Sequence, residues 1–252
     1  RIVFHYVGYG FPVFDEQFSH IFIFDEQQRS FSPHRPAEIF EYVGSPSIYI
    51  FDCSNAAAAL VGFNTFKRER PNTITHTRRK VDCCDLYFFC VSDIGEMLPN
   101  DPLLPRDFFT CCLLTPGKLA IICHLLQYYR DSLPSGFPYS IQSTKYLDLT
   151  IASITDTIAI QSLPPETYRL FFKKDRTLSQ FARNFLLAQY LLKTYQVHPC
   201  SYPSLPDLSL HPLWQQWKVL LDLYIASNMT SGDNGYFKRS LLTFEHYLGN
   251  NL

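Results

Sequence analysis

The stretch Ser47-Ile48-Tyr49-Ile50-Phe51-Asp52-Cys53-Ser54-Asn55-Ala56 constrains this chain more than any other. A β-branched and aromatic run ends at an Asp-Cys pair, and a run of alanines follows. That pattern predicts a buried strand, a turn and a helix. It sets a thiol at the carboxyl end of a strand, where open parallel sheets build their sites and a cysteine hydrolase keeps its nucleophile. A second stretch, His5-Tyr6-Val7-Gly8-Tyr9-Gly10, ends another apolar run in a glycine turn that holds tyrosine and no histidine.

The 252 residues are enough for one large domain, or a domain with an extension, and 46% hydrophobic content supplies a full core. A net charge of -1 argues against a general nucleic-acid binder. The eight cysteines include adjacent pairs, Cys83-Cys84 and Cys111-Cys112, which are poorly placed for ordinary bridges. Others fall inside apolar runs, so they read as buried thiols in a reducing, intracellular compartment. There is no Cys-x-x-Cys, and no apolar run of transmembrane length, so neither a zinc knuckle nor direct membrane insertion is expected. The chain opens at Arg1 directly in an apolar run, so a further strand of the sheet is expected upstream.

Residues 1–6, Ile21–Phe24, Ser47–Phe51 and Leu86–Val91 read as strands, the first, third and fourth of them buried. Pro36–Tyr42 reads as a helix with proline in its first turn, and Ser54 to Arg70 as a helix stopped by Pro71. Strands alternating with helices predict a mostly parallel sheet covered on both faces. Lys67-Arg68-Glu69-Arg70 and Arg78-Arg79-Lys80 form a basic connection, either a solvated loop or a contact for an acidic partner. From about residue 105 the pattern is helical: Asp107–Tyr129 split by Pro116, a turn at Pro134–Pro138, then Ile151–Leu163 and Pro164 to Lys173. Thr177-Leu178-Ser179-Gln180 fits a capping box opening a helix with Leu178, Phe181, Phe185, Leu192 and Tyr195 on one stripe. A proline-rich link, Pro199–Pro212, leads to a last helix with Trp214, Trp217, Leu220, Leu221 and Tyr224. Two domains are expected, an α/β unit over 1–160 and a helical extension over 161–252.

The strand ends Gly8-Tyr9-Gly10 and Asp52-Cys53-Ser54 form the candidate site. A helix beginning after Cys53 would favour its thiolate, but a hydrolase also needs a base that exchanges protons near pH 7. Imidazole does this and phenol, with a pKa of about 10, does not. His5 reads as a hydrogen-bonded structural histidine inside its strand, and His76 lies in the basic loop. Cys53 without a base reads as a small buried residue. Asp52 is expected to cap the following helix rather than to act as an acid. Asp156 either faces solvent or bonds a neighbouring element, and the Trp214/Trp217 pair is a core or a docking stripe. His124, Cys123 and Cys90 lack the spacing of metal ligands and read as core, so no metal or cofactor is expected.

Five ordered motifs resemble the N-terminal conserved region of the Raptor family: His5-Tyr6-Val7-Gly8-Tyr9-Gly10-Phe11-Pro12, Gly44-Ser45-Pro46-Ser47-Ile48 with Asp52-Cys53-Ser54-Asn55-Ala56, Ile154-Thr155-Asp156-Thr157-Ile158-Ala159, Arg183-Asn184-Phe185-Leu186-Leu187-Ala188, and His211-Pro212-Leu213-Trp214-Gln215-Gln216-Trp217. The match runs from Arg1 to about Asp222 and more weakly to Leu252. The resemblance implies a caspase-like αβα sandwich followed by helices that lead towards helical repeats. It implies a non-enzymatic, cytoplasmic subunit of target-of-rapamycin complex 1, reaching the lysosome or vacuole surface through partners. In that family the protein contacts the kinase and recruits substrate proteins through a short signalling motif.

The family commonly has histidine where this chain has Tyr9, half of a caspase-type dyad with the cysteine matching Cys53. Its loss implies a pseudoenzyme with vestigial dyad positions. A second departure is a short segment between Tyr129 and Leu149, where the family carries a longer, arginine-containing one near its motif-binding groove. Lys145, Leu147, Leu149 and Ile151 are the groove residues this chain would supply. Three readings follow: a scaffold that docks substrates for a large kinase, a cysteine endopeptidase that uses Cys53 with another base, or a structural relic that binds nothing through its strand ends.

Overall fold

The structure, a computed structural model, describes residues 1–8, 10–11, 20–24, 30–69, 82–133, 137 and 144–229. Tyr9, most of the basic loop including His76, most of the Pro134–Pro138 turn and the residues after 229 lie outside the described residues. Strands β1 (Ile2–Val7), β4 (Ser47–Asp52), β5 (Leu86–Cys90) and β6 (Cys200–Tyr202) form one sheet in the order β1-β4-β5-β6. The first three run parallel and β6 is antiparallel to β5. A separate hairpin pairs β2 (Ile21–Phe24) with β3 (Phe31–His34).

Side-chain alternation along the strands divides the core into two layers. Phe4, Tyr49, Phe51 and Phe88 point to one face, where Tyr49 and Phe88 stack at 4.7 Å. Phe40 of α1 (Pro36–Val43) closes that face edge-on, and Phe63 of α2 (Ala58–Glu69) packs on Phe88 at a tilt. Tyr87 and Phe89 point the other way, against Phe171 and against Phe185 of α7 (Arg176–Lys193). The result is a three-layered α/β sandwich. Helices α3 (Phe108–Leu114) and α4 (Pro116–Tyr128) are separated at Pro116 as expected, because proline removes a backbone donor and suits the first turn of a new helix. Next come α5 (Lys145–Ser162), the short α6 (Pro165–Tyr168) running into a π-helical turn at Arg169–Lys173, then α7 and finally α8 (Leu213–Met229). No helix among the described residues is long and apolar enough to cross a membrane.

Four expectations are corrected. The strand β1 is an edge rather than a buried strand among the described residues, with Ile2, Val3 and Val7 exposed. Helix α2 starts at Ala58, because Asn55 adopts a left-handed φ of 56° and a turn precedes it. Helix α7 is capped by Asp175, whose carboxylate accepts from the Leu178 amide at 2.8 Å, so Thr177 lies inside the helix. The proline-rich link contributes β6 to the sheet. Residue 160 lies within α5, and the helices from α5 onward share one continuous cluster of buried side chains with the sheet, from Tyr6 to Ile225.

Candidate functional site

At the carboxyl ends of β1, β4 and β5 the chain forms a knot of hydrogen bonds rather than an open cleft. Gly10 has φ +95°, and a side chain there would meet the Ser54 carbonyl oxygen at 2.3 Å. That approach lets Phe11 donate its amide to Ser54 O at 3.2 Å, while Asn55 Nδ2 donates to Phe11 O at 3.2 Å. Asn55 Oδ1 accepts from the Gly95 amide and Ser54 Oγ from the Leu98 amide. Ser92, just beyond β5, accepts from the Ala56 amide and donates to Cys53 O, both at 3.0 Å. Glu96 is held in turn by the amide and ring of His198, which lies just ahead of β6.

Cys53 lies at the centre of this knot with no exposed surface. Burial, with the Asp52 carboxyl second, pushes its thiol far above the ordinary range, so the nucleophilic thiolate is disfavoured. The turn at Asn55–Ala57 separates it from the start of α2, and the helix dipole falls off over such a distance.

His5 belongs to the opposite face. Its Nε2 meets Thr110 Oγ1 of α3 at 3.0 Å, and burial holds the ring below its usual pKa while Asp107 pulls weakly upward. Thr110 donates its hydroxyl at 2.7 Å and its amide at 2.8 Å to Asp52 Oδ2. Asp52 therefore caps a helix, but α3 across the sheet rather than α2 after its own strand. Its other oxygen, Oδ1, is buried with no hydrogen-bond partner among the described residues, and burial raises the carboxyl pKa above the usual range. His5 and Asp52 alternate in register with Tyr6 and Phe51, whose rings face the α1 and α2 side. Parity thus sends His5 away from Cys53.

The remaining motif residues are structural ties. Arg183 grips Asp156 with two hydrogen bonds, at 2.7 and 3.1 Å, joining α7 to α5. Asn184 Nδ2 donates to Leu113 O at the end of α3. Trp214 stacks on Tyr190 at 4.5 Å, donating its indole N–H to Leu208 O, so the Trp214/Trp217 pair is core. His124 pairs with Asp222 at 2.6 Å, and no three metal-binding side chains converge among the described residues. Of the groove residues, Lys145 and Leu149 are exposed, whereas Leu147 and Ile151 are buried. Asp148 between them accepts the Gly117 amide at 2.9 Å, which fixes α5 against the start of α4. Gly8, Gly10, Asp52, Cys53 and Ser54 are brought together, and Tyr9 lies outside the described residues. Sequence reasoning missed Asn55, Ser92, Glu96 and His198. The first three follow strands at their carboxyl ends and were open to the same rule that singled out Cys53; His198 carried no signal.

Residues 1–63 match the family model described as the Raptor N-terminal CASPase like domain. The chain is 30% identical to the target of rapamycin complex 1 subunit mip1 of Schizosaccharomyces pombe, over 88% of this chain and 18% of that protein. It is 29% identical to the regulatory-associated protein of TOR 1 of Arabidopsis thaliana, over 90% of this chain and 17% of that one. The chain thus spans less than a fifth of the length of these relatives. The crystal structure of Chaetomium thermophilum Raptor superposes with a TM-score of 0.79 and 31% identity, covering 98% of this chain and 24% of that one. Sequence and fold together place this chain with the N-terminal caspase-like region of the Raptor family.

Proposed function

We propose that this chain is the N-terminal region of a target-of-rapamycin complex 1 subunit, a pseudoenzyme that acts as a scaffold and presents substrates to the kinase. Its relatives carry that complex in their names. The observation that carries the non-enzymatic half is the seat of Cys53: fully buried, its carbonyl held by the Ser92 hydroxyl, and with its thiol held protonated. A protease must bring a carbonyl carbon to within about 3–3.5 Å of its nucleophile, and this sulfur has no open approach. The partners are the kinase and substrate proteins carrying a short signalling motif, and the workplace is the cytoplasm or an organelle surface reached through partners. Lys145 and Leu149, exposed on the first turns of α5, are the groove residues free to meet a peptide, as a charge and an apolar contact.

Co-purification tests the scaffold role: the chain, in its full-length protein, should retain the kinase from the same source, and absence of the kinase would sink the reading. Electrophile labelling at neutral pH tests the inert thiol. Slow, unselective modification is expected, and fast labelling confined to Cys53 would revive the endopeptidase reading.

A further inference from the structure

Register places Cys90 of β5 directly opposite Cys200 of β6. Opposed residues of antiparallel strands share a face, with Cα atoms about 4.5–5.5 Å apart, and a disulfide spans about 4.4–6.8 Å. Their surroundings differ. Cys90 is fully buried, whereas Cys200 is partly exposed with its Sγ 4.0 Å from Ser92 O. Cys53, Cys112 and Cys123 are buried, and Cys83-Cys84 and Cys111-Cys112 are chain neighbours.

We propose that Cys90 and Cys200 form an oxidation site at which a hydroperoxide closes a disulfide between β5 and β6. The partly exposed Cys200 reacts first. Cys200 gives up its thiol proton, its thiolate sulfur attacks an oxygen of hydrogen peroxide, the O–O bond breaks, and the expelled hydroxide takes up that proton and departs as water, so that Cys200 becomes a sulfenic acid. The Cys90 sulfur then attacks the Cys200 sulfur, the S–O bond breaks, and hydroxide leaves with the Cys90 proton as a second water. Two thiols lose two electrons and one hydrogen peroxide becomes two waters. Burial first, and the neighbouring Cys200 thiol second, hold Cys90 in its protonated form, so the closing step is the slower one. The bond ties in the segment that begins with His198, the residue that clamps Glu96 beside the Cys53 turn. It is independent of the adaptor role.

The reduced chain is exposed to hydrogen peroxide at neutral pH, quenched with an alkylating reagent and digested without reductant. The expected product is a Cys90 peptide joined to a Cys200 peptide, lighter by two hydrogens and separated by dithiothreitol. The oxidised chain should melt roughly 5–10 °C higher, because the bond closes a long loop. In Cys200→Ala, at a partly exposed site, the cross-link should vanish while the circular dichroism spectrum is kept. Cys200 running on to sulfinic acid with Cys90 still alkylatable would overturn the proposal. So would cross-links confined to Cys83, Cys84 or Cys111.

Discussion

A methyl group at position 10 would lie 2.3 Å from a backbone oxygen in a segment whose φ is already left-handed, so Gly10 is the least replaceable residue of the strand-end knot. Gly10→Ala combines a clash that backbone cannot relieve with an unfavourable conformation. The expected loss is about 2–4 kcal/mol in urea unfolding. A loss under half a kilocalorie would mean that the turn moves freely and that Cys53 is less enclosed than the geometry requires. Asp52 tests the electrostatics of the same knot. Its folded-state pKa lies above the unfolded value of about 3.9, because burial opposes the charge. The folded chain therefore holds this proton more tightly, and the Asp52 contribution to stability falls as pH rises from about 4 to its folded value. Asp52→Asn keeps an acceptor for Thr110 and cannot ionise. Its stability relative to the parent should rise with pH across that window and then level, as read from melting temperatures at several pH values. A difference that stays flat, or slopes the other way, would show that the carboxylate is stabilised in place.

Packing of the central strand β4 rests on aromatic layers, and Tyr49 is their middle ring, flanked by Phe4, Phe40 and Phe88. Its hydroxyl is buried without a hydrogen-bond partner among the described residues. Tyr49→Phe keeps the ring contacts and removes the stranded oxygen, so a gain of about 1 kcal/mol is expected. Tyr49→Ala should instead cost about 3–5 kcal/mol by leaving a cavity between Phe40 and Phe88. A loss in the phenylalanine variant would reveal a partner for the hydroxyl. This strand was legible in the sequence because Ile48 to Phe51 is apolar on both faces, as a strand covered on both sides must be. The split at Pro116 was legible for the same kind of reason, a local steric rule. Strand β6 was not: three residues beside Pro199 and Pro203 carry no periodicity, and what makes them a strand is the free edge of β5. The true cap of α7 was hidden by competition, since Asp175 and Thr177 are both N-cap residue types, Thr177 alone has a glutamine three residues on, and only the fold chooses.

The same division between local and tertiary causes governs the whole molecule. The seat of Cys53 at a strand end could be read from sequence, because it follows from where one strand stops. The strand-end rule reaches Ser92 and Glu96 as well, but not the clamp on Glu96, because His198 holds it from a segment 145 residues away from Cys53, between positions 53 and 198. The helical extension packs on the first unit through that same long-range traffic. Strand β6 completes the first unit's sheet, Phe185 of α7 packs on Phe89, and Asn184 ties α7 to the end of α3. Both tryptophans lie in α8, so fluorescence reports the carboxyl-terminal side of the core and far-ultraviolet circular dichroism reports all helices. Residues 1–160 expressed alone should therefore lack a cooperative transition, because the cut exposes the Tyr87 and Phe89 face of the sheet and removes β6. The full chain should show coincident midpoints by the two probes, as one cooperative unit does. Two separated midpoints, with the tryptophan signal lost while the remaining helices and sheet persist, would mean that β6 and α7 are dispensable to the sheet they cover. The sandwich would then be a domain in its own right, with the helices only leaning on it.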